Sequence, residues 1–429
     1  MTGVSEHIQN LQNILHKDTV GAGMYMPEFH HILDEIHLAL DKQDSDWSLM
    51  ALVRGALDLH ASDVHLELHE TDSAVRFRID GDLALVGVLT IKEHNMLVER
   101  MKYRSNLKLN IHDVPQDGKF RFWHEGHDAQ IDVRLSVMPT RYGESIVCRI
   151  LDSASTVINF DGLGIIWPQK EIIIQALKKK QWMILVTGPT GSGKTTSLYT
   201  MIDVLRNPED KIITLEDPIE YQIPWVLQSE INERNWYTFA MWVRSVLRHD
   251  PDIIMIGEIR DLDTANTAVQ AALTGHLVLS TLHTKSAFET LERLENMGVS
   301  AFDTAASLDV IISQRLVRRV CHQCSHREDV TTSSNDQKLL SLYGAHEVLS
   351  QKGAGCDKCG HTGYTGRMGI YEVLRITDDI REAIRNWKSD TDIHTIAVKD
   401  WFISLADDAR AKILLGMTTQ EECEKNGIL

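Results

Sequence analysis

The sequence predicts a multidomain α/β protein whose largest unit is a mainly parallel sheet covered on both faces, and three observations carry that expectation. Four short continuous apolar runs, WMILVTG, KIITLED, DIIMIGE and HLVLSTL, are separated by helix-like segments, the pattern of a parallel sheet buried on both sides. A complete glycine-rich phosphate-binding motif, GPTGSGKT at residues 188–195, follows the first run and opens a helix-like one. Upstream the pattern changes to alternation, with VRFRI and DLALV placed around Asp80-Gly81, a hairpin signal that belongs to a different kind of domain.

From the N-terminus, apolar residues recur every three or four positions from Asp34 to Leu40 and from Trp47 to Leu59, predicting short helices. Residues 1–47 are taken as a short helical region and 48–151 as a small mixed α/β domain, because the alternation continues in GKFRFW, AQIDVRLSV and ESIVCRIL. Residues 152–168 carry Ser, Asp, Gly and Pro without periodicity and are expected to be a linker. The parallel-sheet domain follows at 169–320, a cysteine-containing module at 321–375, and a polar helical region at 376–429. A length of 429 residues accommodates this number of domains.

Bulk properties narrow the function. A net charge of -17 disfavours broad electrostatic binding to nucleic acid, so no nucleic acid partner is expected. The N-terminus lacks a basic stretch followed by an apolar one, and no apolar run reaches the length of a membrane span, so a cytoplasmic location is expected. Cys321-x-x-Cys324 and Cys356-x-x-Cys359 are two pairs with the spacing of a tetrahedral structural zinc site. A closed four-thiolate shell stabilises a fold and leaves no position open for catalysis.

In the glycine-rich turn, successive backbone N–H groups can face phosphates at a helix start, Lys194 can reach the β- and γ-phosphates of ATP, and Thr195 can ligate Mg²⁺. Hydrolysis also needs carboxylates. IIMIGE places Glu258 at the end of an apolar strand as the water-activating base, with Gly257 where many ATPases have a metal-binding Asp. The metal role then falls on Glu216 or Asp217 in TLEDPIEY, unless these cap a turn. His276 and His283 bracket HLVLSTLH, and each is either a γ-phosphate or carboxylate contact or a structural histidine. Arg244 and Arg248 share a helix face, which is either functional or simply solvated and salt-bridged.

In this order, GPTGSGKTTSLYT, ITLEDPIEYQI, VRSVLRHDPDIIMIGEIRD, TGHLVLSTLHT and SQRLVRRVCHQC resemble the GspE/PilB-type assembly ATPases of bacterial type II secretion and type IV pilus systems. The likeness extends upstream to ASDVHLEL, VRFRIDGDL, PQDGKF and IDVRLSVMPTRYGESIVCRIL, and downstream to CDKCGHTGYTGRMGIYEVL and GMTTQEE, covering about residues 61–423. The resemblance implies a PAS-like domain before a RecA-like P-loop ATPase domain, a tetracysteine zinc module, and a homo-hexameric ring. It also implies a motor acting on an inner-membrane platform protein and cytoplasmic assembly components, at the cytoplasmic face of that membrane. Carried over residue by residue, it places Gly188, Pro189, Thr190, Gly191, Ser192, Gly193, Lys194, Thr195 and Thr196 around the nucleotide. Glu216 takes a position in the acidic box with Thr195 at Mg²⁺, Glu258 becomes the catalytic glutamate, and His276 and His283 form the histidine box. Arg134, Arg149, Arg244, Arg248 and Arg260 fall where such proteins have arginines reaching the nucleotide.

Overall fold

The computed structural model describes residues 30–123, 131–151, 159–231, 239–386 and 388–429. Residues 152–158 of the expected linker lie outside these residues, as do the first 29 residues of the N-terminal region and the Arg244 side chain, whereas 159–168 are described and contain the short helix Phe160–Leu163. By contact density the chain divides into two compact units, Met1–Ser155 and Thr156–Leu429.

Among the described residues, the first unit is a six-stranded antiparallel sheet with three helices. Its strands are β1 (Ala61–Leu68), β2 (Ser73–Ile79), β3 (Asp82–Leu89), β4 (Gln116–Phe122), β5 (Ile131–Thr140) and β6 (Gly143–Leu151), in the order β3-β2-β1-β6-β5-β4. The predicted hairpin is β2–β3: Asp80 and Gly81 both take positive φ, 50° and 96°, as a two-residue turn matched to the twist of its strands requires. Alternation then decides the faces. Val75, Phe77, Leu66, Val133 and Leu135 point to one side, where they pack with Ile36 and Leu52 of the helices His30–Asp41 and Ser45–Asp58 and with Leu97 and Met101 of Ile91–Arg104. The intervening polar residues form the opposite face.

The second unit holds a seven-stranded sheet. Its strands are β7 (Trp182–Thr187), β8 (Ile212–Glu216), β9 (Leu227–Glu230), β10 (Ile253–Ile256), β11 (Leu277–Leu282) and β12 (Leu308–Val320), with β15 (Tyr364–Arg375) at the edge. The order is β15-β12-β7-β11-β10-β8-β9, parallel throughout except for the antiparallel β12–β15 pair. The four apolar runs are its central strands. Alternate residues of the same strand feed two different cores: Met183, Leu185, Ile254 and Val278 enter one, Ile184, Val186, Ile253 and Leu277 the other. Burial on both faces is why these strands are continuously apolar and not alternating.

Residues 364–375, grouped from sequence with the cysteine module, instead form β15 of the main sheet, because Ile370 to Leu374 form a buried run against β12. Between β12 and β15 the chain folds a small hairpin of β13 (Ser325–Arg327) and β14 (Gln351–Gly353), which carries the cysteines. The C-terminal helices are tied down by charge as well as by apolar contact. In the helix Leu405–Leu414, Lys412 and Asp408 are both fully buried at 2.7 Å. Tyr343 Oη and the Tyr371 amide donate to the carboxylate at 2.7 Å each, and Lys412 also donates to the Gly369 carbonyl. Breaking such a pair leaves a buried charge uncompensated, at about 3–5 kcal/mol. Asp408→Asn is therefore expected to lower the unfolding free energy from denaturant titration by that amount, and an unchanged value would show that Lys412 is neutral or readily hydrated.

Candidate nucleotide site and metal centre

The chemistry gathers at the C-terminal edge of the parallel sheet, where ligands of open α/β sheets bind. Strand β7 ends at Thr187, and the loop Gly188–Gly193 leads into the helix Lys194–Leu205. Gly188, Gly191 and Gly193 all have positive φ, and Gly193 caps the helix with no side-chain hydrogen bond. The first N–H groups of that helix thus lack the side-chain partner that caps most other helices of this unit, which is the arrangement that receives a phosphate. Lys194 Nζ rests on the carbonyls of Gly188 and Pro189 at 2.9 and 3.1 Å, and burial lowers its pKa, partly opposed by Glu258. Thr195 is exposed in the first helical turn and Thr196 is half-buried.

Glu258 follows β10, next to the strand that delivers His283. His283 Nε2 lies 3.0 Å from one Glu258 oxygen, and Arg260 pairs with the other while its second arm lies 4.0 Å from Asp217. Four expected residues are therefore brought together: Glu258, His283, Arg260 and Asp217. Gly257 has a packing reason. A Cβ there would stand 3.1 Å from the Leu215 carbonyl, and the Gly257 amide donates to that same carbonyl at 2.7 Å, so a larger side chain would crowd β8.

Glu216 is elsewhere engaged. Its buried carboxylate accepts from Thr214 at 2.5 Å, from Gln228 at 3.1 Å and from Tyr199, and burial raises its pKa. This ties the helix after the phosphate loop to β8 and to the segment 217–228, and it leaves Asp217 as the exposed carboxylate of the pair. His276 is not part of the cluster. It precedes β11, a strand-length of about 20 Å from His283, and Nδ1 meets the Ala271 carbonyl at 2.9 Å. Arg248 is exposed, with Ser245 Oγ at 3.5 Å.

In the first unit, strand register aligns Arg78, Asp63, Arg149, Arg134 and Lys119 in one row across five strands. Arg149 Nε donates to Asp63 at 3.1 Å. Arg149, Arg134 and Lys119 are thus like charges directly opposite one another, an arrangement that destabilises a sheet.

The four cysteine sulfurs lie within 4.8 Å of one another, with pairwise separations of 3.9, 3.8 and 3.7 Å for Cys321–Cys356, Cys324–Cys359 and Cys356–Cys359. A tetrahedral Zn–S distance of about 2.3 Å requires sulfurs roughly 3.8 Å apart, so the four residues fit one Zn²⁺. The Cys356 and Gly363 amides point at Cys359 Sγ at 3.2 and 3.3 Å, an arrangement that orients a thiolate. Gly363, with φ of 79°, passes so close to Gly353 that a Cβ on either residue would strike the other's backbone.

Sequence reasoning did not single out Tyr199, Gln228, Gln314 or Arg315. Gln314 and Arg315 stand in the run SQRLVRR, where neither periodicity nor spacing distinguishes them from ordinary strand residues.

The type II/IV secretion system protein family model matches residues 41–425. The chain is similar to the type IV pilus assembly ATPase PilB of Acinetobacter baylyi, 42% identical over 380 residues, covering 87% of this chain and 65% of that one. It is also similar to type II secretion system protein E of Aeromonas hydrophila, 38% identical over 401 residues, covering 92% of this chain and 79% of that one. The chain thus spans just under two thirds of the pilus relative's length. Among solved structures, the pilus retraction motor PilT with bound ADP aligns over 87% of this chain and 95% of its own, with a TM-score of 0.58 and 27% identity. With the family model matching almost the whole described chain and a phosphate loop, a strand-end glutamate and a four-cysteine centre all in place, this chain belongs to the type II/IV secretion system protein family.

Proposed function

We propose that the chain is an Mg²⁺-dependent ATP hydrolase, working as a homo-hexameric motor that powers type IV pilus assembly or type II secretion through an inner-membrane platform protein. The observation that carries the reading is the placement of Lys194, at an uncapped helix start, on the same sheet edge as Glu258 and its partner His283. Bound Mg²⁺ would neutralise phosphate charge, with Thr195 and Asp217 as the exposed groups suited to hold it. Lys194 would release the Gly188 and Pro189 carbonyls for the β/γ-phosphates, and Glu258 would orient and deprotonate water once Arg260 leaves it. No helix of the described residues is long and apolar enough to cross a membrane.

Sizing the purified protein with a non-hydrolysable ATP analogue tests the ring: a hexamer is expected, and a monomer under all nucleotide conditions contradicts it. The arginines of the first unit are the candidate transition-state cations. Loss of such a group slows phosphoryl transfer about a thousandfold or more in related systems. Arg134→Ala and Arg149→Ala are accordingly expected to lower turnover strongly with little change in melting temperature. Normal turnover in both variants would contradict this role and leave the arginines as partners of surface carboxylates, as Arg149 is of Asp63.

A further inference from the structure

Strand β12 runs parallel to β7 with Ser313 level with Thr187, so Gln314 and Arg315 stand where β7 turns into the phosphate loop. Gln314 is buried and braces that loop. Its Nε2 donates to the Ser192 carbonyl at 2.6 Å, and its Oε1 accepts from Ser197 at 2.8 Å. Its backbone carbonyl lies 2.5 Å from where a Cβ on Gly188 would be. That carbonyl accepts Nη1 of Arg315 at 3.0 Å, while the Gly188 carbonyl accepts Lys194 Nζ at 2.9 Å. The two cations thus rest on carbonyls of residues in van der Waals contact. The other arm of Arg315, Nη2, donates at 2.9 Å to the carbonyl of Lys285, two residues past His283.

Arg315 is half-buried, yet among the described residues no carboxylate lies within ion-pair distance of it. Glu372 and Glu289 act on it only from further away, and each holds a backbone amide instead, Ala287 at 2.7 Å and Lys285 at 2.5 Å. The chain has 61 acidic residues against 44 basic ones, so the want of a counter-ion is not for lack of acids. A half-buried cation held only by neutral carbonyls, beside a second cation, is a costly arrangement that an anion would relieve. The planar fork of a guanidinium matches phosphate oxygens two at a time.

We infer that Arg315 is a second phosphate-contacting cation of the nucleotide site, acting with Lys194 on the β- and γ-phosphates. The inference rests on the proposed binding of ATP. Its test is displacement of a fluorescent nucleotide from the full chain by Mg-ATP, ADP and AMP. Arg315→Met is expected to weaken ATP by about tenfold or more and to leave AMP unchanged, since one charge-assisted contact is lost. Arg315→Lys, which keeps the charge, should recover most of the affinity. Unchanged ATP affinity in Arg315→Met, or equal losses for ATP and AMP, overturns the assignment and makes the residue a brace between strand and loop. Should Arg315→Met prove insoluble, the wild-type chain decides: on modification by phenylglyoxal, ATP and not AMP should shield Arg315, and equal labelling with and without ATP overturns the assignment. A wild-type chain that binds none of the three nucleotides fails at the ATP reading itself, an outcome distinct from failure at Arg315.

Discussion

Glu258→Gln is expected to bind ATP close to normally and to hydrolyse it about a hundredfold to ten-thousandfold more slowly, the range associated with loss of a positioned general base. The substitution keeps the shape of a side chain that His283 meets at 3.0 Å, so the loop after β10 should hold its place. What disappears is the proton acceptor and the negative charge that faces Lys194. Phosphate release measured beside nucleotide binding separates the two effects, because a loss confined to the chemical step lowers turnover without weakening ATP. Wild-type turnover would remove Glu258 from its role and point to Asp217 as the next carboxylate at that edge.

Loss of the metal centre is expected to have the largest effect on folding. Structural zinc contributes an apparent binding free energy of about 10–16 kcal/mol coupled to folding, comparable to the whole stability of a typical domain, about 5–15 kcal/mol. The cysteine hairpin is not a detached appendage. The Cys321 amide donates to the Gly363 carbonyl at 2.9 Å, the Leu349 amide to Leu414 at 2.7 Å, and Arg318 pairs with Glu422 at 2.6 Å just before the first cysteine. Cys356→Ala should therefore leave the protein largely insoluble and should loosen β12 with it. One zinc per chain by metal analysis is the companion result, and protein purified without chelators that contains no zinc contradicts the assignment.

Much of the nucleotide site was legible because its determinants are local. GPTGSGKT needs only a preceding strand and a following helix to act, and WMILV and SLYTMIDVL supply both. The cysteine pairs were legible for a similar reason, since two short spacings already fix two ligands each. The parallel sheet was visible in four apolar runs whose burial on both faces leaves no alternation to misread. Less was legible where a role depends on what a residue meets across the fold. Glu216 and Asp217 are adjacent in sequence, yet one is held under Tyr199 and Gln228 and the other is exposed toward Arg260. His276 and His283 flank the same strand, β11, whose length carries them to opposite ends of it. Arg315 is set apart only by the carboxylates it does not meet. The join of β15 to the main sheet was hidden because the cysteine hairpin separates it from β12 in the chain.

The central claim, that the edge carrying Lys194 and Glu258 hydrolyses ATP, is tested most directly by steady-state phosphate release from Mg-ATP by the purified chain, with Lys194→Ala measured in parallel. Release that depends on Mg²⁺ and falls to background in Lys194→Ala is the predicted result. Equal release by the two proteins would place the activity outside this chain, and none from a folded, zinc-loaded wild-type hexamer would contradict the claim itself.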